Sequence, residues 1–294
     1  MKPGAFEYFR PRTQDEALEL LERYAPEAKV LAGGQSLVPL MNFRLAQPRY
    51  LVDTNGITDL SYIREVDTGL AIGAMTRQAA IEDSPFVAAR CPLLMEATRL
   101  IGHRTIRHLG TIGGALAHAD PSAEYPAVLV ALDGEITVRG PRGERVIRAA
   151  DFFISFCTTA LASNELLTEV RLPSLSSGTG WAFTELSRRF GDYAIVGVAA
   201  VISVDRGGRC TDVRIALAGV APTPIRCHDA EESLRGNVAT EEVLKEVAAA
   251  SAAAAAPERD VHASAAYRKA MAAVFVERAL RTALRRARST SDAG

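Results

Sequence analysis

Apolar positions along the chain alternate between a spacing of three to four, the period of a helix, and short unbroken or two-spaced runs, the signature of strands. Ala17, Leu20, Leu21 and Tyr24 recur at helical spacing behind Thr13-Gln-Asp-Glu16, a hydroxyl-to-carboxylate capping box, and predict a helix over 14–24. Residues 29–32 read as a short strand running straight into Gly33-Gly34, with Ser36 placed to cap a helical turn through Leu37, Leu40 and Met41. Strands are expected at 50–53 and 70–74, with Thr76 placed to cap the next helix. Pro92 opens a helix that shows Leu94, Ala97 and Ile101 on one face and ends at Gly102. Asp120-Pro121 reads as the N-cap and first position of a helix over about 122–132. A hairpin over 135–139 and 144–148 turns at Gly140-Pro-Arg-Gly143, and a strand over 166–172 is closed by Pro173.

The texture changes at Ser174-Leu-Ser-Ser-Gly-Thr-Gly180, the best candidate linker. Beyond it lie three strand-like segments, about 181–189, 194–204 and 209–220, the last two joined by the turn Asp205-Arg-Gly-Gly208. The remainder is alanine-rich and helical, near 228–234, 240–256 and 264–288, with Tyr267, Met271 and Val274 as a stripe on the last helix. The alanines at 252–256 suit a closely packed helix.

With 294 residues, 48% of them hydrophobic, the chain can bury two cores. A net charge of −1 argues against nucleic acid as the main partner. No apolar run reaches the length of a membrane span, and the first residues lack the apolar stretch of a signal peptide, so a cytoplasmic protein is expected. Cys91, Cys157, Cys210 and Cys227 form no C-x-x-C pair or other metal-ligand spacing, so any redox chemistry runs without an iron–sulfur cluster bound by this chain.

Two glycine pairs carry the chemistry: Leu31-Ala-Gly-Gly-Gln-Ser-Leu37 and Thr111-Ile-Gly-Gly-Ala115. Turns without side chains let phosphates approach backbone N–H groups. Two such turns are expected to close on one diphosphate from opposite sides. His103, Arg104, Arg107 and His108 precede the second pair; the basic stretch is open to two readings, a solvated loop or a steering surface for phosphates or an acidic partner.

These segments, together with Phe6-Glu-Tyr-Phe-Arg-Pro11, Ile72-Gly-Ala-Met-Thr76, Ile106-Arg-His-Leu-Gly110, His118-Ala-Asp-Pro121, Gly191-Asp-Tyr-Ala194 and Tyr267-Arg-Lys-Ala-Met271, resemble the FAD-binding medium subunit of the molybdenum hydroxylases, the group of carbon monoxide, nicotine and xanthine dehydrogenases. The resemblance runs nearly end to end. It implies an α+β chain: a two-lobed FAD-binding domain of the vanillyl-alcohol-oxidase (PCMH) type over residues 1–175, then a smaller antiparallel-sheet-plus-helices domain over 178–294 that covers the flavin.

The same resemblance assigns cofactor contacts. Ala32, Gly33, Gly34, Gln35 and Ser36 would form the first pyrophosphate loop, and Thr111, Ile112, Gly113, Gly114 and Ala115 the second. Glu124 would accept from ribose hydroxyls, Ile101 and Leu167 would make apolar contacts, Asp120 follows the second loop closely, and Tyr193 would lie near the isoalloxazine. FAD would be held noncovalently, and no side chain is expected to act as a catalytic group or metal ligand. The molybdenum cofactor and the [2Fe–2S] clusters would reside in a large and a small partner subunit, the whole doubled into a dimer of heterotrimers. The chain would relay electrons from those clusters to an external acceptor. The alternative is a free-standing FAD oxidase or dehydrogenase with its own substrate site. Two departures stand out: Ala115 replaces an asparagine common in relatives, and Ser187 stands where carbon monoxide dehydrogenases carry lysine.

Overall fold

In the computed structural model residues 1–291 are described. The first part contains β1 (Glu7–Phe9), α1 (Gln14–Tyr24), β2 (Ala28–Leu31), α2 (Leu37–Asn42), β3 (Tyr50–Asp53), β4 (Ile63–Val66), β5 (Gly69–Gly73), α3 (Gln78–Asp83), α4 (Pro85–Arg90), α5 (Pro92–Thr98), α6 (Arg104–Arg107), α7 (Ile112–His118), α8 (Glu124–Ala131), β6 (Glu135–Gly140), β7 (Gly143–Arg148), α9 (Ala149–Phe152), β8 (Phe153–Ser155), β9 (Thr158–Thr159) and β10 (Leu166–Pro173). The second contains β11 (Thr179–Leu186), β12 (Val196–Val204), β13 (Cys210–Ala218), β14 (Ile225–Arg226), α10 (His228–Leu234), α11 (Glu241–Ala253) and α12 (Ala265–Ser291). The last three residues of the expected second domain, 292–294, lie outside the described residues.

Three larger sheets organise these elements, beside a two-stranded antiparallel pair of β8 and β9. A parallel sheet in the order β1-β3-β2 packs on α1, where Ala17 and Leu21 meet Val52 and Ile57. A five-stranded antiparallel sheet runs β4-β5-β10-β6-β7 and is covered by α3 to α9. The third sheet, β11-β12-β13-β14, is antiparallel throughout. Its central strand β12 is apolar at every position from 198 to 202 because both of its faces are buried. Ala199 and Val201 point into the core of the first part, and Val198, Ala200 and Ile202 point into the core shared with α10, α11 and α12. The sheet is therefore a wall common to two cores.

Several local expectations are corrected. Thr76 does not cap a helix; its hydroxyl donates to the Tyr62 carbonyl (2.8 Å) and accepts from the Tyr62 N–H (3.0 Å), pinning β5 to the preceding loop. Asp120 is not an N-cap either. Its Oδ1 accepts from Ser122 N–H (2.8 Å) in a turn, and the helix begins only at Glu124. Ser36 precedes α2 without making a side-chain cap. The basic stretch is helical at its centre: in α6 the exposed Arg104 pairs with Glu82 and Asp83, and the 5%-exposed Arg107 pairs with Glu82 (2.9 Å), while His103 and His108 stay exposed.

The two parts are fitted by close backbone contact. A Cβ on Gly180 of β11 would overlap the Ala283 carbonyl of α12. Gly180→Ala should cost about 3 kcal/mol of unfolding free energy by forcing strand and helix apart, read as a lower urea midpoint. An unchanged midpoint would show that α12 is not seated against β11 there.

Candidate cofactor site

β2 ends at Leu31, and the chain turns through Ala32–Ser36 before α2 begins. Gly34 sits at φ +71°, a backbone region that only glycine enters without strain. All five turn residues are half-buried. The N–H groups of Gly33, Gly34, Gln35 and Ser36 donate to nothing within the described protein, although Gln35 Nε2 ties back to the Gly33 carbonyl (3.0 Å). Four consecutive free donors on one half-open turn form a cup for an anion.

A polar bracket holds this cup in place. Asn55 Nδ2 donates to the Ala32 carbonyl (2.8 Å), and Asn55 Oδ1 accepts from Arg77 Nη2 (2.6 Å). Arg77 Nη1 in turn donates to the Leu109 carbonyl. Asp53 orients Asn55 by accepting from its N–H (2.9 Å) and Nδ2 (2.5 Å), and Tyr8 donates to the other Asp53 oxygen. The bracket links the first turn to the segment before Thr111. Neither Asn55 nor Arg77 was among the residues expected from sequence; lone polar residues 22 positions apart give no periodic or motif signal.

The second glycine pair is not a second open turn. Thr111 is the N-cap of α7, and its Oγ1 accepts from Gly114 N–H (3.1 Å). The N–H groups of Ile112, Gly113 and Ala115 go to the carbonyls of Thr76 (3.2 Å), Ala74 (2.9 Å) and Thr111 (3.1 Å). These donors are spent on protein, because the fully buried Ile112 draws the segment against β5 and its following turn. Gly113 is needed for that approach, since a Cβ there would lie 2.6 Å from Ala74 Cβ. The structure does bring the two pairs together: a Cβ on Gly33 would overlap the Leu109 carbonyl, and one on Gly114 would lie 3.2 Å from Ala32 Cβ. Their bareness serves loop-on-loop packing as well as ligand approach.

Other expected residues gather around the cup. Tyr193, on the loop from β11 to β12, is 53% exposed, as suits the rim of an open cleft. Its hydroxyl faces Ser36, and enclosure by the cleft walls, reinforced by the Asp120 carboxylate, pushes the phenol up to about 12. That loop is seated by Gly191 (φ +86°), where a Cβ would meet the Gly102 carbonyl group at 2.8 Å, which places it beside Ile101. His118, Asp120 and Cys157 present donor atoms within 4.8 Å of one another. Burial, then Asp120, pushes the Cys157 thiol up. Glu124, at the start of α8, is only 4% exposed; burial first, then the Glu185 charge, raises its carboxyl to about 8. It is therefore largely protonated at neutral pH and can donate as well as accept. Leu167 is 5% exposed in β10, opposite Val138, and belongs to the core rather than to the open cleft.

A cup of free N–H groups beside an aromatic rim and neutral-acid chemistry is equipment for holding a dinucleotide cofactor with an anionic centre. Comparison with known proteins gives the particular family. The FAD binding domain in molybdopterin dehydrogenase matches residues 4–175, and the CO dehydrogenase flavoprotein C-terminal domain matches residues 181–283. The chain is 43% identical over 292 residues to the 6-hydroxypseudooxynicotine dehydrogenase complex subunit alpha of Paenarthrobacter nicotinovorans, covering 99% of each. It is 41% identical to the carbon monoxide dehydrogenase medium chain of Hydrogenophaga pseudoflava, covering 96% of this chain and 98% of that one. Among solved structures, the carbon monoxide dehydrogenase of H. pseudoflava that lacks the Mo-pyranopterin moiety superposes with a TM-score of 0.95 at 43% identity, over 97% and 99% of the two chains. Quinoline 2-oxidoreductase from Pseudomonas putida 86 superposes with a TM-score of 0.93 at 34% identity, over 98% and 99%. The chain belongs to the FAD-binding medium subunits of the molybdenum hydroxylases.

The free donors at 33–36 fit FAD's diphosphate, and the bracket makes a direct test available. Arg77→Met, which removes both bonds that fix the spacing of the two segments, should weaken FAD binding at least tenfold, about 1.4 kcal/mol. Gly33→Ala should remove FAD altogether, whereas Gly4→Ala, whose added Cβ meets only a side-chain oxygen at 3.8 Å, should keep full occupancy. Flavin absorbance per chain after gel filtration reads all three. Full occupancy in Gly33→Ala would refute the cup.

Proposed function

We propose that this chain is the electron-relay subunit of its complex: it holds FAD noncovalently, receives electrons from [2Fe–2S] clusters of a small subunit, and passes them to an external acceptor. A large molybdopterin subunit oxidises the substrate, and two such heterotrimers associate. The observation that carries the reading is the end-to-end match, 99% of both chains, to a protein named as one subunit of a dehydrogenase complex. FAD, when bound, supplies the exchange between single-electron and two-electron carriers. The protein's part is to bind, orient and shield.

In this reading the N–H groups of Gly33–Ser36 hold the diphosphate, with Thr111, Gly114 and Ala115 forming the facing wall. Ile112 and Gly113 set that wall's position from behind, and Leu167 backs it from the core. Asp120 and Glu124 face the hydroxyl-bearing part of the cofactor, and Ile101 and Tyr193 its ring. Support for a subunit rather than a free enzyme comes from the surface beside the cup: Phe43 and Leu45, immediately after α2, are 63% and 77% exposed. Apolar side chains left open next to a cofactor site suit a face covered by a neighbouring polypeptide. The four free thiols suit the reducing cytoplasm.

Substrate choice lies in another polypeptide. Relatives at 34–43% identity, with TM-scores of 0.93 and 0.95, belong to enzymes named for quinoline and for carbon monoxide, molecules with no shared shape. A scaffold that does not change between them does not select between them.

The isolated chain, loaded with one FAD, should bleach with dithionite and recolour in air, yet show no bleaching with N-heterocycles, purines or carbon monoxide. Bleaching by an organic substrate in the absence of partner subunits would establish a free-standing dehydrogenase instead.

A further inference from the structure

At the end of α7 three side chains with metal-binding chemistry converge on one point. His118 is the last residue of the helix, Asp120 lies two positions on, and Cys157 lies in the turn between β8 and β9. Their donor atoms are an imidazole nitrogen, a carboxylate oxygen and a thiol sulfur. All lie within 4.8 Å of one another, and all three residues are half-buried. The four cysteines show no metal-ligand spacing along the chain, so the fold alone assembles this set.

The backbone does the assembling. Ala119 ends α7 in the left-handed region (φ +52°), with its N–H on the Ala115 carbonyl (3.2 Å), and the reversal brings Asp120 back beside His118. Cys157 is also left-handed (φ +48°), a conformation that favours glycine. Its turn is closed by Thr158 Oγ1, which donates to the Phe156 carbonyl (3.0 Å), and by Ala160 N–H, which donates to the Phe152 carbonyl (2.9 Å). β9, which follows the turn, packs on α7.

No protein group satisfies these donors. Among the described residues neither ring nitrogen of His118 nor Sγ of Cys157 makes a hydrogen bond, and Asp120 engages Oδ1 with Ser122 N–H (2.8 Å) but not Oδ2. A nucleophile activated by a histidine does not fit the same residues. Cys157 has no hydrogen bond to His118, and burial, then the Asp120 carboxylate, push its thiol up rather than down. A dication reverses that balance, because it takes the place of the thiol proton. Cys91, Cys210 and Cys227 are buried, so of the four thiols only Cys157 is open to an ion from solvent.

We propose that His118, Asp120 and Cys157 form a binding site for one zinc-class divalent cation, which clamps the end of α7 to the β8–β9 turn. One nitrogen, one oxygen and one sulfur make a borderline-soft set that suits zinc or cobalt(II) and not magnesium or calcium. A tetrahedral ion holds its donors about 3.3–3.7 Å apart, so side-chain rotations that close the triangle by about 1 Å complete the site and leave the fourth position to water. On binding, the Cys157 S–H bond breaks, the sulfur's electron pair forms the bond to the metal, and the proton goes to solvent; no electron changes hands. The inference does not depend on the cofactor reading.

The test uses the full chain, freed of flavin because flavin absorbs where cobalt–thiolate bands fall, and freed of metal by a chelator under a non-thiol reductant. Titration with cobalt(II) should reach one equivalent per chain and raise a thiolate-to-cobalt charge-transfer band in the near ultraviolet. Zinc added afterwards should remove the band, and magnesium should not. C157S should lose the band, and H118A should weaken cobalt binding by about tenfold or more, both with the circular dichroism of the wild type. Should C157S not fold, the wild type decides: saturating zinc should slow alkylation of Cys157, mapped by mass spectrometry, by about tenfold, and an unchanged rate overturns the site. Absence of cobalt binding, binding without the charge-transfer band, or a band that survives in C157S also overturns it. Each of these failures leaves the cofactor reading intact, because the titration contains no flavin.

Discussion

A backbone N–H removed from water needs an acceptor, and this structure is arranged around four that the protein itself does not satisfy. At Gly33–Ser36 the donors are half-buried, so water can reach them, and the cost is smaller than the ~1–3 kcal/mol of a fully buried orphan. Such a turn has no internal reason to keep its shape. The shape comes from outside: Asn55 holds the Ala32 carbonyl, Arg77 holds Asn55 and Leu109, and the bare Gly33 lets the two segments touch. The neighbouring Thr111 segment spends its donors on Thr76 and Ala74 and becomes the rigid half of the pair. One half donates and the other positions.

The third sheet extends this logic across the molecule. Because both faces of β12 are buried, the second part cannot move as a separate lobe without exposing Val201 and Ala199 on one side or Val198 and Ile202 on the other. The loop bearing Tyr193 is thus fixed at both ends, and Arg268 adds a second constraint by donating to the Ile195 carbonyl (2.7 Å) and the Gly219 carbonyl (2.9 Å). An aromatic side chain at a cleft rim, carried by a short loop between two long paired strands, holds its place without being packed itself.

What was legible in the sequence divides by range. The helix over 14–24 matched because Thr13 and Glu16 are a local signal, and its cap is made as expected (3.2 Å). The hairpin at 135–148 and the strand from 166 matched for the same reason: alternation and turn residues act over a few positions. Thr76 and Asp120 misled because hydroxyl and carboxylate side chains serve turns as readily as helix starts, and Tyr62 and Ser122 supplied nearer partners. α7 was missed because Gly113-Gly114 is poor helix sequence, and only burial of Ile112 and Leu116 makes it helical. The open glycine turn could be read from its local motif, whereas Tyr193 was reached only through the family resemblance. The Asn55–Arg77 bracket could not be read, because it joins two residues whose sequence neighbours say nothing about each other.

An electron-relay protein faces a charge problem that an ordinary binding site does not. It must hold an anionic cofactor tightly, and the cofactor gains further negative charge as electrons arrive. A cluster of lysines and arginines would serve the first need, but it would also stabilise the reduced form strongly and hinder release of electrons to the acceptor. The cleft shows a different solution. The turn that suits a diphosphate is made of neutral backbone dipoles, and Arg104 and Arg107 are neutralised by Glu82 and Asp83. Backbone dipoles hold an anion without adding a net positive charge, so the same turn that binds the diphosphate does not also favour the reduced ring by a fixed cation.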